Sequence, residues 1–420
     1  MLILLCWAWC VNAQTPARQK QGLSDLIQRT LEQNLEIQAA KERWRASRYL
    51  PRQASSFPDP ILSYARWLSS VETRVGPQEN VFSLSQRIPF PGKLRLKGEI
   101  AGEEAAIERL RYEIVQRDVV FKLKNAFFDL HWTDRSLEIL DNYQALLRGF
   151  TRAAEQRYAT GQGIQANVIK SQVELSSIAE KKLGFAKMRI GAMARLNALL
   201  NNPADFPIET SSQLDSIRSN LPDSTIIQTA LANRQELIIA HTMILKSELG
   251  VALARKEYLP DFNLQGAYTT IPSGLTAAED DGKDPFSLMI GVNLPIWRGK
   301  RKANVNEARA RQTANELSYE NLKNGVIAEI TDLNFQIKTT RETLDLYEQG
   351  LITQAETSLQ SALAAYQTGK LEFLTLLDAE RALLQFKLSH VRELASCHKQ
   401  IAALERAVGG VNIFEARHSK

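Results

Sequence analysis

The sequence predicts a mainly α-helical fold with a small β part, built as two tandem structural repeats. Three observations predict it. Two long stretches, residues 92–202 and 296–420, contain no proline and carry apolar residues at heptad spacing. Four runs of about ten residues alternate apolar with small or polar side chains. A series of short motifs also occurs twice, in the same order, about 200 residues apart.

The duplication sets the organisation. Leu31 to Ile37 meets Leu231 to Leu237, and Phe57-Pro58-Asp59-Pro60 meets Leu259-Pro260-Asp261-Phe262. Ile88-Pro89-Phe90-Pro91-Gly92-Lys93 then meets Leu294-Pro295-Ile296-Trp297-Arg298-Gly299-Lys300, and Tyr158-Ala159-Thr160-Gly161 meets Tyr366-Gln367-Thr368-Gly369. Such a period is far longer than a solenoid repeat, so it marks two copies of a large unit. The expected division is a signal peptide at 1–13, a first unit at 14–210 and a second at 211–420. Each unit reads as a helix, a β-hairpin and a pair of long helices.

In the first unit the opening helix is expected to start near Ser24 as N-cap, to carry Leu26, Ile27, Leu31 and Leu35, and to be stopped by Pro51 and Pro58. Strands follow at about 60–69 and 80–88, separated by a turn-rich 70–79. In the second unit they fall at about 261–271 and 285–294. The loop between those holds Pro272, Ser273, Gly274 and the acidic run from Glu279 to Asp284, which reads as a surface loop. Coiled-coil seams are expected along Leu123, Phe127, Leu130, Leu137, Leu140 and Leu147, and along Ala186, Ile190, Met193 and Leu200. The second unit offers Ile330, Leu333, Ile337, Leu344, Tyr347 and Leu351, with Leu377, Leu384, Leu388, Val391 and Ala395 on the partner helix.

The alternating runs bear on function. Phe286, Leu288, Ile290, Val292 and Leu294 alternate with Ser287, Met289, Gly291 and Asn293, and Phe82, Leu84 and Ile88 with Ser83, Ser85 and Arg87. A strand facing lipid on one side and a lumen on the other reads this way, as does a soluble half-buried sheet. Beyond the N-terminal run no stretch approaches the ~20 apolar residues of a spanning helix, so a membrane crossing falls to the strands. Four strands are too few for a barrel around a lumen, and chains would associate about an axis. Pro58, Pro60, Pro89, Pro91, Pro260 and Pro295 are expected at joints where helix meets strand. Lys93, Arg95, Lys97, Lys300, Arg301 and Lys302 follow these joints, as a positive collar or as solvated first turns.

Composition narrows the classes further. The net charge is +5, with Lys and Arg interleaved among Asp and Glu, so no nucleic-acid partner is expected. The apolar start ending Val11-Asn12-Ala13 reads as an export signal cleaved after Ala13, although no Lys or Arg precedes it. Lipidation at Cys10 is the alternative, and Trp9 fits it poorly. Cys397 then stands alone in the mature chain. His131, His241, His390, His398 and His418 form no HxxxH pair, and no phosphate-binding glycine loop occurs. No catalytic residue, metal site or cofactor is expected.

Leu31-x-x-Asn34-x-x-Ile37, Pro58-Asp59-Pro60, Gln86-x-Ile88-Pro89-x-Pro91-Gly92-Lys93 and the two Tyr-x-Thr-Gly turns together resemble the TolC-type outer-membrane efflux proteins. The Pro-x-Pro-Gly-Lys form is closer to the heavy-metal branch. The resemblance implies a homotrimer in the outer membrane. Its twelve strands would form one transmembrane β-barrel, and its coiled-coil helices an α-barrel reaching across the periplasm. It implies a periplasmic adaptor (membrane fusion protein) and an inner-membrane pump of the RND type as partners. The turns at Thr160, Gly161 and Gly163 and at Thr368 and Gly369 would then be the periplasmic tip where the adaptor docks. Asn167, Thr375 and Asp378 match positions where family members place gating Asp rings, and only Asp378 keeps a carboxylate. A periplasmic coiled-coil adaptor or structural protein with a soluble β-domain is the other reading, and the cargo stays open among metal ions, drugs and proteins.

Overall fold

The structure is a computed structural model describing residues 22–210, 214 and 222–410. The expected signal at 1–13, with Cys6 and Cys10, His418 and residue 211, where the second unit is expected to begin, lie outside the described residues. In chain order the elements are α1 (Leu23–Gln33), α2 (Leu35–Ser47), α3 (Leu50–Ser55), β1 (Ile61–Thr73), β2 (Gly76–Ile88), α4 (Lys93–Ala159) and α5 (Gln165–Leu199). They continue with α6 (Asp223–Asn233), α7 (Gln235–Lys256), β3 (Phe262–Thr270), β4 (Phe286–Val292), α8 (Arg298–Leu346), a π-helical turn (Tyr347–Leu351), α9 (Ile352–Gln367) and α10 (Phe373–Ala407).

Internal contacts divide the chain into two compact units, each drawing on both halves of the sequence. The first comprises the described residues up to Ile37, Gln116–Ile227 and those from Glu329 onward. Its frame is helical. Helices α5 and α10 each have 35 residues, about 50 Å at 1.5 Å per residue. Leu123, Phe127, Leu130, Leu196 and Leu200 form one buried cluster with Leu26, and Leu140, Leu147, Ile178, Leu377 and Leu384 belong to another with Phe373.

Four helical expectations need correction. The opening segment is three helices, not one, and Pro51 sits in the first turn of α3, where its missing N–H costs nothing. The break falls at Asn34, whose Oδ1 accepts from the backbone N–H of Glu36 (2.9 Å) and Ile37 (3.2 Å) while its Nδ2 donates to the Leu199 carbonyl (2.9 Å). Ser24 lies inside α1, and Gly22 holds the N-cap position. Ile190 is 63% exposed, because the buried line of α5 runs through Ser171, Glu174, Ile178, Ala192 and Leu196. The α8 seam also breaks after Leu344. The π-helical turn inserts a residue there, and burial resumes at Ala355 and Leu359.

The second unit comprises Gln38–Val115 and Gln228–Ala328. It holds a four-stranded antiparallel sheet in the order β1-β2-β3-β4, in which β2–β3 pairing joins strands from the two halves of the sequence. Strands β1 and β2 run longer than expected. Much of 70–79 is paired, Val71 with Gln78 and Thr73 with Gly76, leaving only Arg74 and Val75 as the turn. Gly76 makes this possible: its φ is +121°, and a Cβ there would meet the Ile271 side chain at 2.8 Å. Helix α7 corrects the hydropathy reading, since it is long and apolar enough to cross a membrane by length and composition. Within this unit, however, its Lys246 pairs with Glu104 of α4 and its Met243 carbonyl accepts from Asn315 of α8 at 3.3 Å.

Candidate functional site

The sheet register sorts the strand residues onto two faces. Directly opposite residues share a face, so the pairs Leu62–Leu84, Gly266–Leu288, Leu264–Ile290 and Phe262–Val292 place an apolar set on one side. The other side carries Ser63–Ser83, Ser85–Gln265, Arg87–Asn263 and Ala267–Ser287. Leu62, Phe286 and Ile290 are 76%, 72% and 68% exposed, so no described residue covers the apolar face.

The apolar band has edges. At one end Tyr64, Phe82, Tyr268 and Phe286 stand in a single row across all four strands, with the Tyr64 and Phe82 ring centroids 5.1 Å apart. The next row on that face is polar, with Arg66, Asn80 and Thr270. A row of aromatics at the border of an apolar band is the arrangement found at a lipid–water interface. The loops beyond it hold one another. Gly282 N–H donates to the Val75 carbonyl (2.8 Å), and Arg74 pairs with Asp280. Asp281 accepts from Thr276 and Gly274, and Asp284 from Ile271 N–H (2.7 Å), so protein donors engage these acidic side chains.

At the opposite end lie the connections to the helices. Pro58 and Pro60 fall between α3 and β1, Pro89 and Pro91 between β2 and α4, Pro260 between α7 and β3, and Pro295 between β4 and α8. Among these connections is Asp261, next to Pro260. Its carboxylate accepts from Lys93 Nζ (2.8 Å), Arg87 (2.8 Å) and the Phe90 N–H (2.9 Å). Burial opposes its ionisation, but the Lys93, Phe90 and Arg87 hydrogen bonds outweigh burial and hold its pKa at about 2. Lys93 is thus neither collar nor solvated turn, being 3% exposed, whereas Lys97, Lys300 and Lys302 are exposed.

In the first unit, the α4–α5 turn carries Thr160, Gly161 and Gly163, and the α9–α10 turn carries Thr368 and Gly369. Gly161 and Gly369 have φ of +72° and +76°, the left-handed helix ending that glycine adopts without strain. Arg157 joins the two turns: its Nη2 donates to the Gln367 carbonyl at 3.2 Å and its guanidinium lies 4.6 Å over the Tyr366 ring. Asn167 and Thr375 lie in the first turns of α5 and α10, half-buried and exposed respectively. The exposed Asp378 carboxylate is 3.4 Å from Arg381.

One group in this region escapes motif reading. Arg381 donates to Glu174 at 2.5 and 2.9 Å, and Glu174 is buried. Beside them Glu380 is 1% exposed, and neither of its carboxyl oxygens has a hydrogen-bond partner among the described residues. Burial, then the nearby Glu174 carboxylate, push its pKa up to about 8 against the pull of Arg381. The spacing Phe373, Leu377, Glu380, Leu384 is the signal that finds it, an acid on an apolar heptad line. The histidines are engaged elsewhere, His390 2.9 Å from Glu348 and His398 against the Phe128 ring.

Residues 226–410 match the outer membrane efflux protein family. The cation efflux system protein CusC of Escherichia coli K12 is 22% identical over 304 residues, a match spanning 70% of this chain and 65% of CusC. The cobalt-zinc-cadmium resistance protein CzcC of Cupriavidus metallidurans is 20% identical over 378 residues, 90% of this chain and 87% of CzcC. The crystal structure of the outer membrane protein VceC of Vibrio cholerae superimposes with a TM-score of 0.78 at 22% identity, covering 92% of this chain and 96% of that one. The family match thus covers somewhat under half of the chain, while the relatives and the VceC fold resemble it over most of its length.

Proposed function

We propose that this protein is the outer-membrane exit duct of a tripartite efflux pump, a passive conduit and not an enzyme. One observation carries the reading. Among the described residues the sheet has an uncovered apolar face opposite a polar one, and both its edge strands, β1 and β4, are open. In lipid each unpaired backbone group costs several kcal/mol, so such a sheet needs further copies to pair its edges. Three copies supply twelve strands, within the range of closed transmembrane barrels. The apolar face meets lipid and the Ser-, Gln- and Asn-bearing face lines the lumen.

The two sequence halves, 14–210 and 211–420, are copies of one unit in this reading. The turns at Thr160, Gly161 and Gly163 and at Thr368 and Gly369 form the periplasmic tip that meets the adaptor, and Asn167, Thr375 and Asp378 line the gate. An inner-membrane pump of the RND type supplies the transport energy. The names of CusC and CzcC, a cation efflux protein and a cobalt-zinc-cadmium resistance protein, support metal ions as cargo ahead of drugs.

The test is fractionation of native cells followed by metal challenge. The protein is expected in the outer membrane, as a detergent-dependent, heat-modifiable trimer, and its deletion is expected to lower tolerance to at least one exported metal. A monodisperse, detergent-free monomer would sink the duct and favour a soluble adaptor or structural protein.

A further inference from the structure

The two buried acids of the helical unit are not used by a passive conduit. A carboxyl group inside an apolar cluster is expensive to ionise, and it stays neutral or finds a cation. Glu174 has its cation, Arg381. Glu380 has none of its own among the described residues; its buried oxygens are unpartnered there, and it lies on the helix line of Leu377 and Leu384, which belong to the buried cluster.

We propose that Glu380 is a proton-operated latch. The packing of α4, α5, α9 and α10 around it is tight while its carboxyl carries a proton and loosens when that proton leaves to solvent. That this loosening opens the duct rests on the proposed function above; the loosening itself does not.

Of the groups near Glu380, burial and the Glu174 charge favour the protonated form and Arg381 opposes it. From α4 comes the buried Tyr143 hydroxyl, itself without a hydrogen-bond partner among the described residues. Burial, then the Glu380 and Glu174 charges, keep that phenol from ionising. From α5 comes the Glu174 carboxylate, a like charge. Helix α9 contributes Leu359 and Tyr366 to the same buried cluster as Tyr143, and the Tyr366 phenol gives its face to Arg157. On α10 itself Arg381 is held by Glu174 and Asp378, so it cannot swing fully to a newly charged Glu380. Lys181 lies with Glu174 and Arg381 along an open pocket of about 440 Å³. Ionisation therefore leaves a second negative charge beside Glu174 with one shared cation. The sign follows from Glu380 titrating at about 8 in the folded chain against 4.5 as its ordinary value. Between those values the folded chain holds a proton that the unfolded chain has released, and stability falls as pH rises through the interval.

The experiment uses the full mature chain in detergent, as wild type and as Glu380→Gln, which keeps the shape and removes the titration. Thermal midpoints are followed from about pH 5 to about pH 9, where the wild type is expected to fall by several degrees and Glu380→Gln to stay level. Infrared titration of the unmutated protein is expected to show a protonated-carboxyl band that disappears near the same pH, and it decides the protonation question even if the variant does not fold. In planar bilayers the wild-type open probability is expected to rise several-fold over that range and that of Glu380→Gln to stay constant. A variant with the wild-type pH profile, or a wild type without the carboxyl band at neutral pH, overturns the latch. A level Glu380→Gln melting profile with unchanged wild-type gating overturns its role in opening. A chain that forms no pore at any pH removes the duct reading, and the melting profiles then decide the latch alone.

Discussion

Lys93, the first residue of the long helix α4, has its ammonium 2.8 Å from the carboxylate of Asp261, the residue that leads into β3, and both are buried. The pair couples the start of a helix from one half of the sequence to the start of a strand from the other. Its remaining hydrogen-bonding capacity is used, since Lys93 also donates to the Leu259 carbonyl (2.9 Å) and Asp261 accepts from Phe90 and Arg87.

Removing one partner leaves the other buried without its countercharge. Asp261→Asn is expected to lower stability by about 3–5 kcal/mol, and Asp261→Asn combined with Lys93→Met by clearly less than the sum of the single changes. Urea unfolding of the detergent-solubilised protein measures both. The pH dependence has the opposite sign to that of Glu380. The folded pKa of Asp261 is depressed from 3.8 to about 2, so its contribution is present above 3.8 and is lost as pH falls through about 2. The wild type is expected to lose stability on acidification across that interval more steeply than Asp261→Asn. Parallel acid curves for the two proteins would remove the assignment.

The two faces of the sheet predict opposite tolerance to charge. Leu288 points with the apolar set and Ser287 with the polar set. Leu288→Arg is expected to cost about 2–4 kcal/mol and to reduce the trimer recovered from the outer membrane. Ser287→Arg, one residue away, is expected to leave trimer yield near wild type and to alter conductance instead. Equal losses in heat-modifiable trimer would mean that the apolar face is not the one in lipid.

Asn34 predicts a smaller effect. Its Oδ1 caps α2 and its Nδ2 holds the Leu199 carbonyl at the end of α5. Asn34→Ala is expected to cost about 1–2 kcal/mol. Asn34→Asp keeps the cap and loses the donor, so it is expected to fall between Asn34→Ala and wild type in the same unfolding assay.

These sites differ in how far they could be read from sequence. The strands were legible because apolar alternation has period two, and the pairing Phe82–Tyr268–Phe286 preserves the faces that alternation implies. The long helices were legible from heptads, except where a polar residue took a seam position. Ile190 looked like a core residue because it is apolar, while Glu174 and Ser171 hold the buried line. The length of β1 and β2 was hidden because Gly76 and Pro77, ordinary turn residues, end up paired in the ladder. Asp261 appeared only as part of a Pro-Asp motif shared with Asp59. Nothing local distinguishes the exposed Asp59 from the buried Asp261, since the difference lies in Lys93 and Arg87, more than 160 residues away in the chain.

At Gly161 an added Cβ would meet no atom within 4 Å, so a substitution there costs only the left-handed backbone strain, roughly 1 kcal/mol. Gly163 differs, because a Cβ there would press on the Arg157 and Tyr158 backbone at 3.2–3.3 Å. Gly161→Asp is therefore expected to fold, trimerise and form pores like the wild type. If the turn is the adaptor's docking point, the same variant is expected to lose most adaptor co-purification and to match the deletion in metal tolerance. Arg157→Ala separates shape from contact. It removes the hydrogen bond to Gln367 and the cation over Tyr366, worth together about 1–2 kcal/mol, and frees the two turns from each other. Weakened docking in both variants would tie the adaptor to the paired turns as a unit. Full tolerance in Gly161→Asp would place the docking surface elsewhere on the helices.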